Sequence, residues 1–160
     1  MKKEVMEREW FSSIAIGVAV TLLILVSVYD FVFVKEIYTH LPLFITGLLL
    51  IISGFVLRHI CKNELGRHFS RTIIILKKHR VIDTGPYKLL RHPMYAGALL
   101  YGLGAVMLFS STLGFFFFVL VYTPVWIYRI IIEEGYLVNS LGMNYVKYRK
   151  KTYRLIPYLW

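Results

Sequence analysis

The chain has 160 residues, a net charge of +10 and a mean hydropathy of +0.62, with 58% hydrophobic and 18% charged residues. Soluble domains keep about a quarter of their residues charged, and here the apolar residues gather in long blocks with the charges between them. An ordinary soluble domain is excluded, and the sequence predicts an all-α integral membrane protein with one membrane domain over residues 1–160.

Four blocks follow in chain order. Phe11–Val34 is almost wholly apolar, with Asp30 near its far end. It is too long for a signal peptide and lacks the small-residue cleavage pattern. Leu41–Leu57 carries no charge, Met94–Leu113 is uncharged and rich in small residues, and Leu113–Ile132 carries only Arg129. A bilayer core takes about 20 apolar residues per helix, so four spans are expected, over 11–34, 41–57, 94–113 and 113–132.

The 19 Lys and Arg residues alternate with these spans. Three precede the first, one (Lys35) follows it, nine lie between the second and third, none between the third and fourth, and six run from Arg129 onward. This positive-inside pattern predicts that both termini and the 58–91 segment face the cytoplasm. The net charge is then accounted for by topology and attraction to anionic lipid. No separate domain carries a basic face, so no nucleic-acid partner is expected. Cys61 is the sole cysteine and forms no intrachain disulfide. His59, His68, His79 and His92 lack metal-ligand spacing, so no metal is expected.

Two cytoplasmic segments carry chemistry. In the first, the apolar run Ile73–Leu76 is followed by Lys77, Lys78, His79 and Arg80, a pattern suited to an interfacial element or to a linker on the headgroups. Asp83-Thr84-Gly85-Pro86 has strong turn chemistry. Pro93 suits the first turn of a helix, which puts Arg91 and His92 at the N-terminus of the third span. That position attracts anions; a positive flank with Tyr87 and Tyr95 as interfacial anchors fits equally. Ala98 and Gly102, four apart, suggest close helix packing, with backbone exposed along a pocket as the alternative.

The second segment begins at the end of span four. Glu133 and Glu134 are adjacent acids in a chain with nine. Neighbouring helical residues point about 100° apart, so at most one faces inward. Its partner is expected among Arg91, Arg129, Arg154 or a cationic ligand. Tyr145 and Tyr148 share a helix face.

GPYKLLRHPMYAG at 85–97, followed by EEGYLVNSLGMNYVKYRKKTYRLIP at 133–157, resembles the isoprenylcysteine carboxyl methyltransferase and phospholipid methyltransferase superfamily of integral membrane enzymes. The matching residues are Arg91, His92, Pro93, Tyr95, Gly97, Glu133, Glu134, Leu137, Gly142, Tyr145, Tyr148, Arg154 and Pro157. LGRHFSR at 65–71 also looks like the family's lead-in. The likeness covers about residues 60 to 157.

The resemblance implies S-adenosyl-L-methionine as cofactor, in a cytoplasmic pocket built from about 80–104 and 129–157. It implies a hydrophobic lipid or lipidated acceptor. Arg91, His92 and nearby backbone N–H groups, with Pro93 shaping the turn, are expected to take the cofactor's carboxylate. Glu134, or else Glu133, takes its ammonium or ribose. Tyr87, Tyr95 and Tyr145 are expected at the adenine or at hydroxyls, and Gly97 lets the ligand reach the backbone. A carboxylate acceptor needs only a cation such as Arg129 or Arg154, whereas an amine acceptor needs a base such as Glu134. Two other readings remain: an NADPH-dependent membrane sterol or enone reductase, and a non-catalytic membrane protein.

Overall fold

A computed structural model gives the fold, describing residues 2–35, 40–66 and 81–158. The expected interfacial run 73–76, most of the lead-in at 65–71, Lys77, Lys78, Arg80, His68 and His79 lie outside the described residues.

Helix α1 spans Lys2–Tyr29 and continues as a π turn over Asp30–Val34. Helix α2 spans Leu41–Leu65. A 3-10 turn at Gly85–Lys88 leads to α3, Pro93–Leu108. Next, α4 (Thr112–Phe117), a π turn (Phe118–Tyr122) and α5 (Thr123–Leu141) follow one another without a break. The π turn stands just before Pro124, whose missing N–H removes a bond from the helical ladder. Finally, α6 covers Met143–Arg149.

Three of these helices are long and apolar enough to cross a membrane: Glu7–Val34, Leu41–Leu65 and Thr112–Leu141. The apolar helix α3 has 16 residues, about 24 Å at the usual rise against a hydrocarbon core of about 30 Å. The block expected over 94–113 is cut at Leu108. Ser110 adopts a positive φ of 48°, and Ser111 caps α4 by accepting from the Gly114 N–H at 2.8 Å, as a serine N-cap should. At the same end, buried Asp30 accepts from the Ser111 hydroxyl at 2.7 Å and the Leu113 N–H at 3.0 Å. The last apolar helix runs on to Leu141, well past Ile132.

Glycines place α3 against α2. A Cβ on Gly47 would lie 2.6 Å from the Gly104 carbonyl oxygen, and one on Gly54 would lie 2.6 Å from that of Gly97. The pairing is antiparallel, with both contacts at the same spacing along each helix, so two backbones approach where no side chain intervenes. On its other side α3 meets the last apolar helix. Tyr122 donates to the Ala98 carbonyl at 3.0 Å, and its ring fills the place of a Cβ on Gly102. Ala19, Leu23, Ala98, Val106, Tyr122 and Trp126 form the core. Large apolar side chains on α1, α2 and α4–α5, among them Leu25, Leu49, Phe55 and Leu120, point outward, as a lipid solvent permits.

Candidate functional site

The site is assembled around the entry to α3. Gly85 takes a positive φ of 53°, which suits glycine, and starts the turn that carries Tyr87. This turn is moored to the end of α2, where the Thr84 hydroxyl donates to Glu64. The chain then meets the C-terminal stretch in a short parallel bridge between Leu90 and Tyr153. The Arg91 N–H donates to the Tyr153 carbonyl at 2.7 Å and the His92 N–H to that of Arg154 at 3.1 Å. These two N–H groups are therefore spent on the protein's own backbone. Neither of these two N–H groups is available to a cofactor carboxylate while the bridge is formed.

The bridge brings the cations to Glu134, which is 3% exposed. Arg91 Nε donates to Glu134 Oε1 at 2.7 Å, and Arg154 Nε donates to Oε2 at 3.1 Å. Arg149 Nη2 lies 3.8 Å from Oε2, and His92 Nε2 lies 3.4 Å from Oε1. Arg91 Nη1 also donates to the carbonyls of Arg149, at 2.9 Å, and Thr152. One guanidinium thus holds α5, the end of α6 and the tail together. Charge-assisted bonds of this kind are about twice as strong as neutral ones.

Glu133 points elsewhere and accepts from the Tyr95 hydroxyl. The Tyr95 ring stacks on His92, with centroids 5.5 Å apart and planes within 1°, and stands 5.1 Å from Trp126. Tyr145 and Tyr148 are buried on one face of α6, ring centroids 5.9 Å apart, and the Tyr148 hydroxyl donates to the Tyr87 carbonyl at 2.7 Å. Burial pushes the phenols of Tyr87, Tyr145 and Tyr148 up, so they stay neutral and able to donate at physiological pH. Among the described residues, the Tyr145 hydroxyl is a buried polar atom without a hydrogen-bond partner, and His92 Nε2 has only its long approach to Glu134. Buried polar groups are nearly always paired, so the Tyr145 hydroxyl is what a polar ligand would use.

Arg91, His92, Glu134 and Arg154 converge as residues in one cluster, with Tyr87, Tyr95, Glu133 and Tyr145 around it and Pro93 opening α3. Two expected residues do not join it. On Gly97, the position of a Cβ is 2.7 Å from Arg58 Cγ and 3.0 Å from the Gly54 carbonyl oxygen; α2 occupies the approach expected for a ligand. Arg129 is bound to α1 instead of Glu134: Nη1 donates to the Glu9 carbonyl at 3.1 Å, Ser12 Oγ at 2.8 Å and Ser13 Oγ at 3.2 Å. Sequence reasoning missed Arg149, Thr152 and Tyr153. Only the folding-back of the tail, a non-local event, brings them to Arg91.

A family model, the isoprenylcysteine carboxyl methyltransferase (ICMT) family, matches residues 46–139. The chain belongs to this family. The family and enzyme class expected from the motifs are thus those the comparisons return. Protein-S-isoprenylcysteine O-methyltransferase B of Arabidopsis thaliana is 29% identical over 92% of this chain and 78% of its own length. Protein-S-isoprenylcysteine O-methyltransferase of Schizosaccharomyces pombe is 35% identical over 65% of this chain and 45% of its own length. The solved structure of a eukaryotic intramembrane Ras methyltransferase of this family matches with a TM-score of 0.71 at 24% identity, covering 89% of this chain and 52% of that one. That likeness establishes the membrane fold. The chain spans between about half and about four-fifths of the length of these relatives.

Proposed function

We propose that the protein transfers a methyl group from S-adenosyl-L-methionine to the carboxylate of a prenylcysteine-type acceptor at the cytoplasmic face of a membrane. The observation that carries this reading is the Glu134 cluster, with the unpartnered Tyr145 hydroxyl among the tyrosines around it. The cofactor bears a carboxylate, an ammonium and hydroxyls, and the cluster offers both signs of charge with neutral donors. His92 Nε2, Tyr145 and the arginines around Glu134 would hold its polar groups, and Tyr87 and Tyr95 would meet its adenine or hydroxyls. When bound, this group supplies a methyl already activated on sulfur.

The chain's own task is then alignment. Positioning alone can supply several kcal/mol, on the order of 7–11 in well-oriented reactions. Arg129 or Arg154 would hold the acceptor carboxylate, which needs no general base because it is already ionised. The names of the relatives favour this acceptor over a lipid amine. The cytoplasmic orientation rests on the distribution of Lys and Arg.

Thermal unfolding in detergent tests the reading. S-adenosylhomocysteine at 100 times its dissociation constant should stabilise the protein by about 2.7 kcal/mol, and NADPH should not. Stabilisation by NADPH alone would favour a reductase, and none by either ligand would favour a non-catalytic protein.

A further inference from the structure

Arg129 is 4% exposed, and its partners divide into two kinds. Its Nη1 arm sits in a neutral cup on α1. The Ser12 and Ser13 hydroxyls donate to the Glu9 carbonyl at 2.8 Å and 3.0 Å, and all three oxygens accept from Nη1. Glu9, Ser12 and Ser13 are spaced three and four apart, on one helix face, and Ser12 is fully buried. This arm is fixed. The Nη2 arm is held more loosely, with the Glu9 carboxylate 3.6 Å away, beyond direct hydrogen-bond length.

Arg129 lies on the face of α5 that carries Trp126 and Glu133, one turn from each, and the Trp126 ring stands 5.1 Å from that of Tyr95. Tyr95 in turn adjoins Glu133 and the ring of His92, so Arg129 stands at the border of the Glu134 cluster. A buried cation is costly to leave without a counter-anion, and neutral acceptors such as those on α1 offset part of that cost. Exchanging one carboxylate for another keeps the net charge constant, so the exchange costs little electrostatically. Trp10 and Phe11, beside Glu9, are 70% and 61% exposed. The lipid-facing side of α1 at this level is thus apolar, as a prenyl chain in the bilayer would require.

We infer that the Nη2 arm of Arg129 is the subsite for the acceptor carboxylate, and that Glu9 occupies it in the resting protein. The first turns of α1 then act as an internal competitor that an acceptor displaces at the seam between α1 and α5. This rests on the carboxyl methyltransferase reading and deepens it by choosing Arg129 over Arg154 and adding Glu9 as its occupant.

The test uses the full chain in lipid nanodiscs, with N-acetyl-S-farnesylcysteine as acceptor and its uncharged amide as inhibitor. Glu9→Gln removes the competing charge with little change of shape. The KM for the acid should fall about fivefold, because the competent fraction of the site rises, while inhibition by the amide and affinity for S-adenosylhomocysteine stay unchanged. Arg129→Gln should raise the acid's KM at least tenfold. An unchanged KM in Glu9→Gln overturns the inference, as does an equal shift for acid and amide, which would report looser packing of α1. S-adenosylhomocysteine binding reports whether each variant is folded; if Arg129→Gln is not, Glu9→Gln decides alone. Should the wild-type protein neither bind S-adenosylhomocysteine nor methylate the acid, the functional reading fails and this inference falls with it. Should it do both while Glu9→Gln fails as described, only the subsite is lost.

Discussion

Glu134 has a structural duty beside the ligand contact proposed for it, and its sequence position suggests that duty only in part. A carboxylate that merely received a cofactor ammonium could be neutralised without harm to the fold. Here the carboxylate balances Arg91 and Arg154 in a buried setting, and Arg91 in turn holds carbonyls of Arg149 and Thr152. Breaking a buried pair by removing one partner costs about 3–5 kcal/mol. Glu134→Gln is therefore expected to lower the unfolding temperature by an amount corresponding to that range and to lose S-adenosylhomocysteine affinity together. Unfolding followed with and without ligand separates the two effects. An unchanged unfolding temperature in the apo variant would leave Glu134 a ligand-contacting role alone. Arg91→Ala should behave in the same way, since the same guanidinium closes the tail over the site.

At the scale of elements, the helices were legible and their partners were not. Apolar runs located every long helix, and Pro93 marked the start of α3, because both signals are local. The end of α3 was missed: Phe109, Ser110 and Ser111 continue an uncharged block, and what stops the helix is Ser111 turning to cap α4 beside Asp30. The glycines of α3 pointed to packing, but nothing local ties Gly97 to Gly54 or Gly104 to Gly47. The bridge between Leu90 and Tyr153 and the hold of α1 on Arg129 are likewise long-range, so the EE and RHP motifs could announce a site without revealing which arginine serves it. The glycine contacts give a direct test. Gly47→Ala forces a Cβ to within 2.6 Å of the Gly104 carbonyl oxygen and the Leu108 nitrogen, where only backbone could yield, and overpacking of this kind costs about 1–3 kcal/mol. Gly17→Ala on α1 meets nothing within 4 Å and should instead be neutral or stabilising by about 0.5–1 kcal/mol, as for any helical glycine. Equal effects of the two substitutions on unfolding in detergent would count against the α2–α3 contact.

For the molecule as a whole, the arrangement has two unlike ends. The Glu134 cluster lies at the end reached by the start of α3, the end of α5 and the C-terminal stretch; Asp30, Ser111 and the start of α4 lie at the other. Nine Lys and Arg residues fall over 58–91, from the last turns of α2 to the start of α3, and six from Arg129 onward, against Lys35 alone between α1 and α2. Such a bias sets the orientation of short loops, so the cluster should face the cytoplasm, as the proposed use of a water-soluble methyl donor requires. Cysteine labelling can decide this because the background is silent: Cys61 is the sole cysteine and is fully buried. Leu41 and Tyr158 are 68% and 85% exposed and belong to opposite ends. In intact cells a membrane-impermeant maleimide should label Leu41→Cys and leave Tyr158→Cys unmodified until the membrane is permeabilised. The reverse pattern would turn the protein over and place its charged cluster outside. Labelling of both variants in intact cells would mean that these ends do not lie on opposite sides of the membrane, and the short helix α3 would then be the first span to question.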